Sequence, residues 1–159
     1  MSLSWSTRRW AAAPALALLV LGLAGCGRGG TIGSPRVPLT QGAHVAATSR
    51  RCDQGKHVFC GLYLVVVDSH FSSSQALMSA ERRRLRAYSW TVEQGDIGQE
   101  QSAVSPGEKF RLTYATAEGE LRAIDEGWIQ RPSAISLALA HAMFDRTAAM
   151  SLIVRSGPS

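Results

Sequence analysis

The sequence predicts an α+β fold, a small antiparallel sandwich built on a single sheet, in the order strand–helix–strand–strand–helix with a last strand left open. Three observations carry this expectation. Leu62-Tyr63-Leu64-Val65-Val66-Val67 is an unbroken apolar run rich in β-branched residues, the pattern of a strand covered on both faces. Residues 75–88 are good helix formers with an apolar stripe of Leu77, Ala80, Leu85 and Tyr88. Farther on, Phe110, Leu112 and Tyr114 alternate with Arg111, Thr113 and Thr116, as a half-buried strand requires.

Taken in order, the first strand spans 59–67, its apolar run bounded by Gly61 and Asp68, and is expected at the centre of the sheet. Ser72 and Gln75 fit a capping box that opens the first helix, which places Ser79, Arg82, Arg83 and Arg86 on its solvent side. Trp90 and Val92 alternate with Thr91 and Glu93 as a second strand. Residues 94–108, polar and holding Gly95, Gly98, Pro106 and Gly107, read as a long loop. The third strand, at Phe110–Thr116, is expected antiparallel to the second. Residues 121–129 read as a short helical turn carrying Ile124 and Trp128, and Pro132 stands at a helix start. The second main helix then covers 133–150. Leu137, Ala140, Phe144 and Ala148 line one side of it and Ile135, Leu139, Met143 and Met150 another, so burial over most of its girth is expected. Leu152-Ile153-Val154 either extends this helix or forms the last strand, and in the second case the order matches a ferredoxin-like split βαβ. Helices packed on one sheet face would leave the other to the tether, a loop or a partner.

The chain opens with a different signal. Arg8 and Arg9 precede a greasy run over 10–23, with no acid before Asp53. At about 14 residues the run falls short of the roughly 20 that a spanning helix needs, and Pro14 interrupts it. It closes on Leu23-Ala24-Gly25-Cys26. This stretch resembles the lipobox of bacterial lipoproteins at all four positions. The resemblance implies a signal peptide over 1–25, diacylglycerol on the Cys26 thiol, a further acyl chain on the new amino terminus, and anchoring at the extracytoplasmic face of the bacterial cell membrane. Two or three chains hold a protein stably where one holds it marginally. The resemblance covers the leader alone. The body is similar to small actinobacterial lipoproteins only in general style, which implies no activity.

Residues 26–50 then read as the lipidated cysteine and a flexible tether, and 51–159 as one α+β domain. The tether is rich in Gly, Pro, Ser and Thr without an apolar period, and its reach is roughly 25–30 Å. His44 lies in it as a solvated residue. The formal charge is +5, of which Arg8 and Arg9 belong to the leader, and so mild an excess gives no reason to expect a nucleic-acid partner. With Cys26 consumed by lipid, Cys52 and Cys60 remain, and outside the cytoplasm such a pair is expected as a disulfide. The competing metal set of Cys52, His57 and Cys60 matches no common zinc spacing and lacks a fourth ligand.

Candidate sites are sparse. Asp68-Ser69-His70, just after the first strand, holds the residue types of nucleophilic catalysis, but neighbours on an extended segment point apart and no nucleophile elbow surrounds Ser69. Glu81-Arg82-Arg83-Arg84-Leu85-Arg86 is a solvated helix face with cations near the negative helix end, and Arg82, Arg83 and Arg86 are its candidates for contact with an anionic surface. Asp96, Glu100, Asp125 and Glu126 are too scattered for a carboxylate pair, and His57 and His141 stand alone. Trp90, Tyr114, Trp128 and Phe144 read as core. No motif for a cofactor occurs. These readings point to a non-enzymatic binding or interaction module held near the membrane, with an envelope protein as its partner. The alternative is a small envelope hydrolase using His70.

Overall fold

The computed structural model describes residues 36–52, 60–93 and 100–156. They form one six-stranded antiparallel sheet with three helices, a mixed α+β architecture. In chain order the elements are β1 (His44–Cys52), β2 (Cys60–Val67), α1 (Ser74–Ala87), β3 (Thr91–Glu93), β4 (Glu100–Val104), a single 3₁₀ turn at Pro106–Glu108, β5 (Phe110–Thr116), α2 (Ala117–Asp125), α3 (Ser133–Phe144) and β6 (Ala149–Ser156). The sheet order is β1-β2-β6-β5-β4-β3.

The apolar run forms β2, with Val65 and Val66 fully buried on opposite faces. It is an interior strand between β1 and β6, and the middle of the sheet belongs to β6 and β5. Met150, Leu152 and Val154 of β6 join Leu64, Val66, Leu112 and Tyr114 under α1, where Leu77, Met78 and Leu85 close the larger core. The intervening side chains of the same strands, Val65, Val67 and Ala149, point the other way and meet Ile135, Leu139 and Ala142 of α3 and Ala117 of α2. Helices therefore cover both faces, which corrects the one-faced sandwich. The ferredoxin-like arrangement does not hold either, because the last strand, β6, lies inside the sheet and separates β2 from β5.

Other expectations change with the same registers. The second main helix ends at Phe144, capped at Asp145, and Arg146 turns the chain with φ 54° into β6, so Met150 is a strand residue. A strand over 149–156 wins because its alternate residues fill both cores. The segment read as a loop contains β4, whose only fully buried side chain is Ala103. Gln101 on the same face accepts a hydrogen bond from the Tyr114 hydroxyl at 2.8 Å, and the opposite face of β4 is left without a helix, so polar residues suffice there. Residues 44–50, assigned by composition to the tether, form most of β1. Before them Val37, Leu39 and Ala43 pack against the core under α1. The leader and Cys26 lie outside the described residues.

α1 begins at Ser73, whose hydroxyl accepts the Ala76 N–H at 3.2 Å, one residue beyond the expected cap. It stops where Ser89 takes φ 61° and the Trp90 N–H returns to the Leu85 carbonyl. Thr116 caps α2 through the Gly119 N–H at 3.1 Å. The Glu120 carboxylate of α2 pairs with Arg131 just before α3, both side chains largely buried, and the Arg131 guanidinium lies 5.8 Å from the Tyr63 ring centroid. This ion pair fixes the α2–α3 connection over the outer sheet face.

Candidate functional site

The outer surface of α3 is the most unusual surface on the body. Ile135, Leu139 and Ala142 face the sheet, yet Leu137 is 71% exposed and Phe144, two turns later, 85%. Leu137, Ala140 and Phe144 thus form an apolar stripe with nothing over it among the described residues. The expectation of burial over most of the girth fails for a geometric reason. α3 lies outermost on its face of the sheet, and α2 packs along only one flank of it. Met143 is exposed as well, and Trp128, expected in the core, is 72% exposed.

Along its other flank α3 faces β1 across a groove of about 690 Å³. Small residues make this groove. Ala46 and Ala47 on β1 and Ala134, Ala138 and Ala142 on α3 leave unfilled the space that larger side chains would take. Leu137 forms the outer wall, Val67 the floor, and His44, Ser69, His141 and Asp145 the polar rim. His44 is therefore a strand residue at a groove, not a linker histidine. His141 is not alone, since its Nδ1 lies 3.0 Å from the Asp145 carboxylate one turn on.

At the exit of β2 the structure brings two expected residues together. Asp68 is fully buried, and its Oδ1 accepts the His70 N–H at 2.9 Å and the ring Nδ1–H at 2.8 Å. Adjacency in sequence does not separate them, because an Asx turn folds the chain back within two residues. His70 itself is 77% exposed. Gly42 packs so closely here that a Cβ on it would lie 3.0 Å from His70 Nδ1, and its φ of +96° suits glycine alone. Ser69 lies on the groove side, and among the described residues no hydroxyl or thiol hydrogen-bonds to the His70 ring.

The arginines of α1 divide. Arg83 and Arg86 are exposed, Arg82 is half-buried, and Arg84 stacks 4.6 Å from the Tyr88 ring centroid. Glu81, hidden in the same run, is a residue that sequence reasoning missed. It is fully buried, and its Oε2 accepts the Thr40 N–H at 2.9 Å while Oε1 has no partner among the described residues. Burial pushes its carboxyl up to about 7, against the opposing pull of the Thr40 N–H and Arg84. The one signal for it was its place one turn from Leu77 and Leu85. Burial likewise raises the Tyr114 phenol to about 12.

Cys52 and Cys60 are direct partners in the β1–β2 register, Cα atoms 4.0 Å apart and sulfurs at 2.02 Å. His57, Asp96 and Cys26 lie outside the described residues. Among those described, no group of three or more His, Cys, Asp or Glu is placed to hold a metal, and no helix is long and apolar enough to cross a membrane. No protein-family model matches the chain, and no curated protein or solved structure matches it.

Proposed function

We propose that this chain is an exported lipoprotein, anchored through acylated Cys26 at the extracytoplasmic face of the cell membrane, whose body binds an envelope protein. The observation that carries the binding role is the apolar stripe of Leu137, Ala140 and Phe144 on a helix that already has a complete buried face. A helix that only covers a sheet needs one apolar face, and an exposed second one marks contact with another molecule. Support for the anchor comes from Leu23-Ala24-Gly25-Cys26 at the end of a short apolar run. The Cys52–Cys60 disulfide belongs to the same reading, since it persists outside the cytoplasm.

The test is photocrosslinking in the producing cell with a photoreactive phenylalanine at position 144, alongside intact-mass analysis of the purified protein. The expected result is one recurrent partner crosslinked from position 144 and not from position 111 on β5, with Cys26 carrying acyl mass. An unmodified amino terminus at Met1 would overturn the anchor, and crosslinks indifferent to position would overturn the interface.

One observation favours a second reading. Asp68 orients His70 through Nδ1, as a general base requires. A hydrolase would lose ester or amide cleavage on Asp68→Asn and His70→Ala, whereas the interaction reading expects neither variant to change any such rate.

A further inference from the structure

The groove beside β1 has a backbone edge as its second wall. β1 stands at the end of the sheet and pairs only with β2 among the described residues. Its register with β2 sets which groups remain free. The Cys52–Cys60 pair, with Cα atoms 4.0 Å apart, has the close spacing of a non-hydrogen-bonded antiparallel pair. At such positions N–H and C=O point away from the partner strand. By the period of two, Thr48 and Arg50 therefore also turn their N–H and C=O outward, while Ser49 and Arg51 bond to β2.

From this edge and this groove we infer that β1 accepts an extended peptide as a seventh strand, with alternate apolar side chains of that peptide entering the space between β1 and α3. The inference deepens the binding-module reading of the body and is independent of the anchor. Three observations define the occupant. Free backbone groups in a row are satisfied by another extended chain, and a globular surface cannot reach them in series. The groove wall of Ala47, Ala138 and Leu137 accepts apolar side chains of moderate size. Arg50 and Arg51, both exposed at one end of β1, select acidic residues at the corresponding end of the peptide. The same arginines, with the bulge between Val45 and Ala47, deter uncharged β-rich chains, so the edge is selective and not merely open. The disulfide joining β1 to β2 holds the template in place before binding.

The experiment uses the full chain in detergent and a synthetic peptide of about eight residues in which valine alternates with threonine and two aspartates occupy one end. Amide hydrogen exchange is followed by NMR. At saturating peptide the Thr48 and Arg50 amides are expected to slow at least about tenfold, with Ser49 and Arg51, already bonded to β2, unchanged. Ala138→Trp, which fills the groove, is expected to weaken peptide binding about tenfold. The double change Arg50→Glu and Arg51→Glu, on exposed residues, should shift preference to a peptide ending in two lysines. No slowing in β1 at millimolar peptide, equal slowing by a scrambled peptide, or protection confined to α3 would each overturn strand addition. If β1 is silent while crosslinks from position 144 persist, the interaction module survives without this mode. If both are lost, neither stands.

Discussion

Glu81 shows how far one side chain can depart from its sequence neighbours. It opens a run of four basic residues in five positions, yet its carboxyl is buried while its helix neighbours Arg83 and Arg86 face solvent. Removal from water raises its pKa to about 7, well above the unfolded value of 4.5. The folded state therefore binds the proton more tightly. The stabilisation from protonated Glu81 is complete below pH 4.5 and lost as pH rises through 7, on the order of 3 kcal/mol across that window. Glu81→Gln keeps an oxygen for the Thr40 N–H without the charge. Thermal unfolding of Glu81→Gln should show a flatter profile from pH 4.5 to 8 and a higher Tm than the parent at pH 8. Equal pH slopes for the two proteins would show that Glu81 does not titrate in this range.

α3 carries two apolar faces with different duties, and substitution separates them. Leu139→Ala, at a fully buried site, is expected to cost about 2–5 kcal/mol in denaturant unfolding. Phe144→Ser should change stability by less than about 0.5 kcal/mol while removing partner crosslinks from a photoreactive residue placed at position 137 on the same stripe. A large loss from Phe144→Ser would mean that Phe144 serves the fold. Legibility in sequence follows the same division. β2 was readable as an unbroken apolar run, and α1 and β5 because their buried apolar residues recur at helical and strand spacing. β4 was not, since a strand with one covered face and a single buried Ala103 reads as a polar loop. β1 was hidden because an edge strand exposed on most of its length has the composition of a linker. The apolar face of Leu137 and Phe144 was visible as a pattern, but sequence does not say which of two apolar faces meets the sheet. Asp68 and His70 were named from residue type, while their contact depended on a local turn that spacing alone did not convey.

The whole molecule assigns its two helical layers to different directions. Val37 and Leu39 pack under α1, on the side of the sheet opposite α3. Arg83 and Arg86 are exposed on that side, and Arg36 lies beside Arg84 and Tyr88 there. The change Arg83→Glu with Arg86→Glu should weaken binding of the body to vesicles holding about a third anionic lipid by several-fold at low salt and leave neutral vesicles unaffected. Equal binding to both vesicle types before substitution would remove any role for these arginines. The arginines of α1 and the apolar stripe of α3 lie on opposite sides of the sheet, so two interactions need not compete for one face.

The position of β6 carries a kinetic consequence. It follows every other strand in sequence but lies between β2 and β5, pairing Val67 with Ala149 and Tyr114 with Leu152. Until residues 149–156 arrive, the β1–β2 hairpin and the β3–β4–β5 meander are two separate half-sheets, each with an open edge. Neither core can close, because Met150 and Leu152 are part of one and Ala149 of the other. Pairings of such long sequence separation delay the rate-limiting step until the whole sheet is in reach. A chain read out from its amino terminus would thus complete neither core until residues 149–156 emerged. If the chain is exported, as proposed, that delay leaves both cores open during its passage across a membrane.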